Sequence, residues 1–243
     1  MVQSSPAFTT DDEFPVMNDH MIGMETRAYF NKNRYLISSI FVLMFISLAC
    51  SITNLQDSQS VTLFTDDFSD TSKKWNRITD DSGSADYYNN AYRIWVNVAG
   101  SYVWANPANE NFVDSRIEVD TIKNAGPDDN DFGIICRYED ESQFYFAVIS
   151  SDGYYGILKM TTAGAKIIGK DNLLENSAIN RGPAANHLRF DCIGSTLTLY
   201  VNDSLVDQQI DTDYTTGNVG LLAGSFDTAG TDILFDNFAV YRP

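Results

Sequence analysis

Two acids set two residues apart, Glu118 and Asp120 in "SRIEVDTIK" (Ser115–Lys123), are the first side chains here that could act together. Alternate residues of a strand share a face, so both carboxylates would project to one side. Carboxylate pairs can divide the roles of nucleophile and general acid, although two acids spaced this way are more often a solvated strand face. Of the two histidines only His187 follows His20, so histidine zinc sites and Ser–His nucleophile pairs have little to draw on. The chain contains neither a glycine loop that cradles phosphate nor a nucleophile elbow.

The cysteines carry a second kind of chemistry. In "NHLRFDCIGSTLTLYVNDSLV" (Asn186–Val206), Leu188, Phe190 and Cys192 share one face against Arg189 and Asp191. After a Gly194-Ser195 turn, Leu197, Leu199 and Val201 alternate with Thr196, Thr198 and Tyr200, and Asn202-Asp203 make a second turn. That is a hairpin of two half-buried strands with Cys192 on the buried side. Cys136 lies in "FGIICRYED", where Ile134, Cys136 and Tyr138 are expected to share a face. Cys50 ends "LISSIFVLMFISLAC", whose fourteen uncharged residues before the cysteine follow Arg27, Lys32 and Arg34. A membrane-spanning helix needs about 20 apolar residues, so the run reads as a secretory signal. "SLAC" resembles a bacterial lipobox, with Ser47 where leucine is usual, which implies lipidation of Cys50. A plain signal peptide or an uncleaved anchor are the alternatives, and translation from Met21 or Met24 would give a better n-region. Assigning Cys50 to lipid leaves Cys136 and Cys192 as an even pair in an exported chain. A bridge between them closes a loop of about 57 residues, worth roughly 4 kcal/mol; two separate buried thiols are the alternative.

These residues need elements to hold them. We divide the chain into a signal peptide (1–49), a lipidated cysteine with a polar tether (50–60) and one folded domain (61–243). Removing 1–49 takes three of the 16 basic and five of the 33 acidic residues, leaving 13 against 28, a formal charge of −15. Such a surface repels nucleic acid and anionic headgroups and accepts neutral ligands or divalent cations. Eleven strand-like runs follow Val61: "VTLF", "AYRIWVNV", "SYVWAN", "SRIEVDTI", "DFGIICRY", "QFYFAVIS", "YYGILKM", "NHLRFDC", "TLTLYVN", "NVGLLAG" and "DILFDNFAVY". Turn signals separate them and no stretch of ten residues has a helical period, so one all-β sandwich is expected.

In order along the chain, "DDFSD…W" (Asp66–Asp70, Trp75), "YYNNAYRI", "SRIEVD", "FGIICRYED…QFYFAVISSDGYYGILK", "NHLRFDCIGSTLTLYVND" and "GNVGLLAGSFDTAGTDILFDNFAVY" resemble the concanavalin A-like lectin/glucanase superfamily. The nearer likeness is to laminin-G-like jelly rolls grouped with 3-keto-disaccharide hydrolase relatives in bacterial lipoproteins. It spans 61–243 and implies a jelly-roll β-sandwich of two antiparallel sheets. Asn90-Ala91 and Asn202-Asp203 stand where Asn-Gly is usual. The glucanase branch carries E-x-D-x-x-E, and here Lys123 replaces the second glutamate. In jelly rolls of this type the first and last strands are neighbours, so Asp66, Asp67 and Asp236 could converge on a structural calcium, or simply cap turns. Sugar binding would use aromatic platforms, drawn from Trp75, Tyr87, Tyr88, Trp95, Trp104, Tyr145, Tyr154 and Tyr155. Since Phe144, Phe146 and Val148 read as the core side of their strand, Tyr145 is expected to face outward with Trp95, beside Arg137 and Arg189. The resemblance thus implies a monomeric, lipid-anchored protein outside the cytoplasm that binds a glycan or envelope polysaccharide without catalysis. The alternatives are a glycoside-processing hydrolase and a structural or protein-interaction module.

Overall fold

The computed structural model describes residues 61–243; Cys50, the apolar run before it and the tether lie outside the described residues. Sixteen strands form among the described residues. The first six are β1 (Thr62–Asp66), β2 (Ile78–Thr79), β3 (Gly83–Tyr88), β4 (Ala91–Val96), β5 (Ser101–Ala105) and β6 (Ser115–Ala125). Next come β7 (Asn130–Asp140), β8 (Gln143–Ile149), β9 (Tyr154–Thr161), β10 (Gly164–Ile167) and β11 (Leu174–Glu175). The last are β12 (Asn186–Ile193), β13 (Thr196–Val201), β14 (Ser204–Ile210), β15 (Asn218–Ser225) and β16 (Thr231–Tyr241). All eleven expected runs are strands; β3 and β14 among others were not foreseen from pattern.

The strands build two antiparallel sheets. Nine form one in the order β14-β13-β12-β6-β16-β4-β3-β2, with β1 also beside β16. Seven form the other in the order β10-β9-β8-β7-β15-β5, with β11 beside β9. The long β16 gives its first half to β4 and its second half to β1, so the first and last strands are neighbours as expected. Hairpin β12–β13 buries the side the alternation indicated: Leu188, Phe190, Cys192, Leu197, Leu199 and Val201 are all 0% exposed. They meet residues of the seven-stranded sheet, including Ile134, Ala147, Ile149 and Leu221, in one inter-sheet core. Cys136 of β7 and Cys192 of β12 are disulfide-bonded, Cα atoms 6.8 Å apart, so the bridge joins the two sheets.

Turn chemistry follows from which residues tolerate positive φ. Asn202 and Asp203, at φ 49° and 64°, close β13–β14 as the sequence indicated. The β3–β4 turn is Asn89-Asn90, at 50° and 60°, one residue earlier than expected, which leaves Ala91 in a strand.

Two bulges redirect side chains. Register slips in β7 between Cys136 and Asp140, where Arg137 has φ 54°. An extra residue turns everything after it to the other face. Ile134 and Cys136 therefore face the inter-sheet core, whereas Tyr138, expected beside them, packs on the sheet's outer side. In β16 the slip between Asp236 and Ala239 centres on Asn237, φ 53°, and sends Phe238 inward.

Candidate functional site

The four expected ligand-binding side chains do not meet. Trp95 and Arg189 are half-buried on the outer side of the nine-stranded sheet, on β4 and β12, with β16 and β6 between them. Arg189 is engaged already: Nε and Nη2 donate to Asp191 at 2.8 and 2.5 Å, and the guanidinium stacks 4.2 Å from the Tyr200 ring centroid. Tyr145 and Arg137 belong to the other sheet and, against expectation, both are buried. Both faces of β8 are apolar, so alternation alone could not tell which was the core. Tyr145 faces the inter-sheet core, and its hydroxyl donates to Asp211 at 2.6 Å and accepts from the Tyr214 amide at 3.0 Å. Arg137 is turned in by its bulge. It donates to the carbonyls of Val113, Tyr214 and Gly194 at 3.3, 2.8 and 2.7 Å, tying three loops together. Burial lowers its pKa from the usual guanidinium range.

The acids divide likewise. Asp66, the last residue of β1, is buried, and Asp67, just beyond it, is exposed. Each accepts an amide two residues on, from Phe68 at 2.8 Å and Ser69 at 3.0 Å. They border a cavity of 430 Å³ with Asp70, Ser72, Lys73 and Asn237; Asp236 is not among its lining residues and instead pairs in register with Asp120. Among the described residues no three His, Cys, Asp or Glu side chains converge to hold a metal ion. Burial raises the Asp66 pKa, opposed by the hydrogen bonds of the Phe68 amide and the Trp75 side chain. Glu118 and Asp120 share a face as expected. That face is the outer one of the nine-stranded sheet, where Asp120 accepts from Asn237 at 2.9 Å and lies 2.8 Å from Nδ1 of His187.

A different constellation occupies the outer side of the seven-stranded sheet. β5 alternates Val103 and Ala105 inward with Tyr102 and Trp104 outward. Across the sheet, Trp104 is in register with Leu222, Gly133, Val148 and Gly156 in turn, and Tyr102 with Gly224 and Asp131. At Gly224 no side chain stands between Tyr102 and Asp131, and the Tyr102 ring lies over that gap. A Cβ on Gly224 would stand 2.1 Å from Oδ1 of Asp131 and 2.7 Å from the Tyr102 ring. Tyr102 packs on Phe146 with centroids 5.8 Å apart, while Trp104 and Tyr138 lean on Phe144 at 5.7 and 5.4 Å. Phe144, Phe146, Val148, Ile135, Leu158 and Leu222 form a buried floor, and the three upper rings stay half-exposed. They line a groove of 250 Å³ with Asn76, Asp80, Ser82, Asn106 and Glu141. On the same face a second cavity, of 470 Å³, opens between Tyr154, Phe226, Leu173 and the carboxylates of Asp129, Asp152 and Asp227.

Between the two lies Asp131, 1% exposed. Its Oδ2 accepts from the Tyr102 hydroxyl at 2.8 Å, and its Oδ1 has no partner. Burial pushes its pKa up to about 7, opposed by the Tyr102 hydrogen bond and assisted by the charge of Asp129. Burial, then the neighbouring Asp131, raise the Tyr102 phenol as well. Groups that hold rings above a floor, with polar side chains at the rim, can stack on the apolar face of a flat ligand and bond its edge.

No protein-family model matches the chain, and no curated protein matches it in sequence. Solved structures do match in fold. Carbohydrate binding module CBM66 from Bacillus subtilis superposes with a TM-score of 0.56 at 16% identity, over 69% of this chain and 95% of that one. A Bacillus subtilis protein of unknown function with a galectin-like fold gives 0.52 at 12%, over 74% and 96%. The Bacillus licheniformis β-glucanase gives 0.53 at 11%, over 76% and 99%. The chain therefore has the concanavalin-like jelly-roll fold that the sequence led us to expect, a fold that hosts binders and enzymes alike.

Proposed function

We propose that this chain is a lectin-like module that binds glycan, without catalysis, on the outer face of its seven-stranded sheet. The observation that carries the reading is the set of half-exposed rings of Tyr102, Trp104 and Tyr138, held over a dry floor beside Asn76, Asn106 and Ser82. Aromatic side chains held above a packed floor lose little conformational freedom when a ligand stacks on them. The likeness to a carbohydrate binding module supports the ligand class. Lipidation at Cys50, export, and a monomer tethered at the bacterial envelope complete the proposal, supported by the lipobox-like "SLAC" and by the inter-sheet disulfide. A glycoside-processing hydrolase would have its paired acids, Glu118 and Asp120, on the sheet opposite the rings.

Trp104→Ala is expected to weaken binding by about 2 kcal/mol, near thirtyfold, as removal of one large stacked apolar surface should. A glycan-array screen followed by calorimetry on the full chain checks this. Unchanged affinity in the variant would move the site elsewhere.

Calcium enters the proposal more narrowly, at Asp66 and Asp67 without Asp236. The carboxylates of Asp66, Asp67 and Asp70, which line one cavity, supply the hard oxygen atoms this ion prefers. A melting temperature higher in calcium than in chelator would support it, and identical curves would remove calcium from the account.

A further inference from the structure

We infer that Asn106 sets the specificity of the groove: its Oδ1 is the fixed acceptor for one equatorial hydroxyl of the stacked sugar. The inference rests on reading this face as a glycan site. Asn106 follows the last residue of β5 and continues the outward series of Tyr102 and Trp104. It lines the groove although only 7% of it is exposed. Space for its carboxamide comes from Gly220 of β15, on the outer side like Leu222 two residues on. A Cβ at Gly220 would stand 2.5 Å from Nδ2 of Asn106. Without one, the amide lies down against the sheet.

Other atoms of the residue are committed. Nδ2 donates to the Val219 carbonyl at 2.7 Å, and the backbone carbonyl accepts from the Asn76 amide at 3.0 Å, which docks one wall of the groove. Val219 falls where the register of β15 against β7 slips and lies beyond the β5 ladder, so Nδ2 takes the place of a strand bond. A carbonyl can only accept, which fixes the orientation of the amide and leaves Oδ1 as its open end. Oδ1 accepts from no group among the described residues, yet it is not sealed from solvent. The task at Val219 thus accounts for the donor and not for the acceptor. The Tyr102 hydroxyl already donates to Asp131, and Asp80 and Glu141 on the groove's rim are acceptors as well. A sugar with equatorial hydroxyls suits such a site: its C–H faces meet the rings of Tyr102 and Trp104, and its O–H edge meets Asn106. A ligand that covers Asn106 without offering a donor leaves a buried acceptor unpaired.

NMR titration of the full chain with methyl β-cellobioside, whose ring hydroxyls are all equatorial, tests the assignment alongside analogues carrying fluorine in place of one hydroxyl at a time. Fluorine keeps the shape but cannot donate. One analogue is expected to bind about tenfold more weakly than the cellobioside. Asn106→Ala should erase that difference by weakening the cellobioside to the level of the analogue. A residue that only braces Val219 would, when removed, weaken every sugar alike. Asn106→Asp keeps an acceptor and loses the donor to Val219, so it is expected to melt lower and still prefer hydroxyl to fluorine. Equal affinity across the series, persistence of the preference in Asn106→Ala or its loss in Asn106→Asp would overturn the assignment. Failure of the cellobioside to bind would overturn it too. In that case the glycan reading stands if another glycan on an array binds and Trp104→Ala weakens it, and falls if none does.

Discussion

Replacing Cys136 and Cys192 together by alanine is expected to cost about 4 kcal/mol of stability, through the loss of a cross-link that closes a loop of more than fifty residues in the unfolded chain. The sequence separation is 56, and the bridge ties β7 of one sheet to β12 of the other. Without it the two sheets are held by side-chain packing and by hydrogen bonds such as that of Arg137 to Gly194, and the unfolded chain regains the freedom of the intervening segment. For a domain of this size each kcal/mol corresponds to roughly 2–4 °C, so the melting temperature should fall by roughly 8–16 °C. Urea denaturation of the parent and the double variant measures the difference. A change under about 1 kcal/mol would mean that the core, and not the bridge, holds the sheets together. Both sulfurs are fully buried, so brief treatment of the folded protein with reductant is expected to leave the bond intact.

The second large effect is a pH dependence centred on Asp131. Its carboxyl holds its proton up to about pH 7 in the folded protein, against about 3.9 for an ordinary aspartate, because burial opposes ionisation. The folded state therefore binds more protons than the unfolded state between those values. Stability due to this group is fully present below about pH 4 and is lost as pH rises through 7, by on the order of 4 kcal/mol. Asp131→Asn removes the charge and keeps an acceptor for the Tyr102 hydroxyl, while its amide brings a buried donor in need of a partner. The variant is thus expected to be less stable than the parent at pH 5 and more stable at pH 8. Melting curves across that range would contradict this if the difference between the two proteins stayed constant.

Much of the architecture could be read from alternation. β12 and β13 have one apolar and one polar side, so their core face, the position of Cys192 and the sandwich itself followed directly. The site was harder to see, for reasons that lie in particular residues. β8 is apolar on both sides, because Tyr145 faces the inter-sheet core and Phe144 and Phe146 lie beneath a second aromatic layer. The bulge at Arg137 leaves no composition signal, yet it moves Tyr138 to the outer face and turns an expected ligand contact into a buried tie between loops. β14 is an edge strand with an irregular burial pattern, which weak alternation could not reveal. One signal did exist. In "SYVWA" the large rings alternate with small inward residues, and Gly133, Gly220 and Gly224 interrupt otherwise apolar strands, as happens where something must approach the backbone closely.

The central claim is that ligand sits on the seven-stranded sheet, and the three tryptophans report on it separately. Trp75 is buried in the inter-sheet core, Trp95 lies outside the nine-stranded sheet, and Trp104 lines the groove. With 5-fluorotryptophan incorporated and each signal assigned by Trp→Phe substitution, titration with a bound glycan should shift the Trp104 fluorine resonance and leave those of Trp75 and Trp95 in place. A shift of Trp95 with Trp104 unmoved would put the ligand on the opposite sheet and contradict the account.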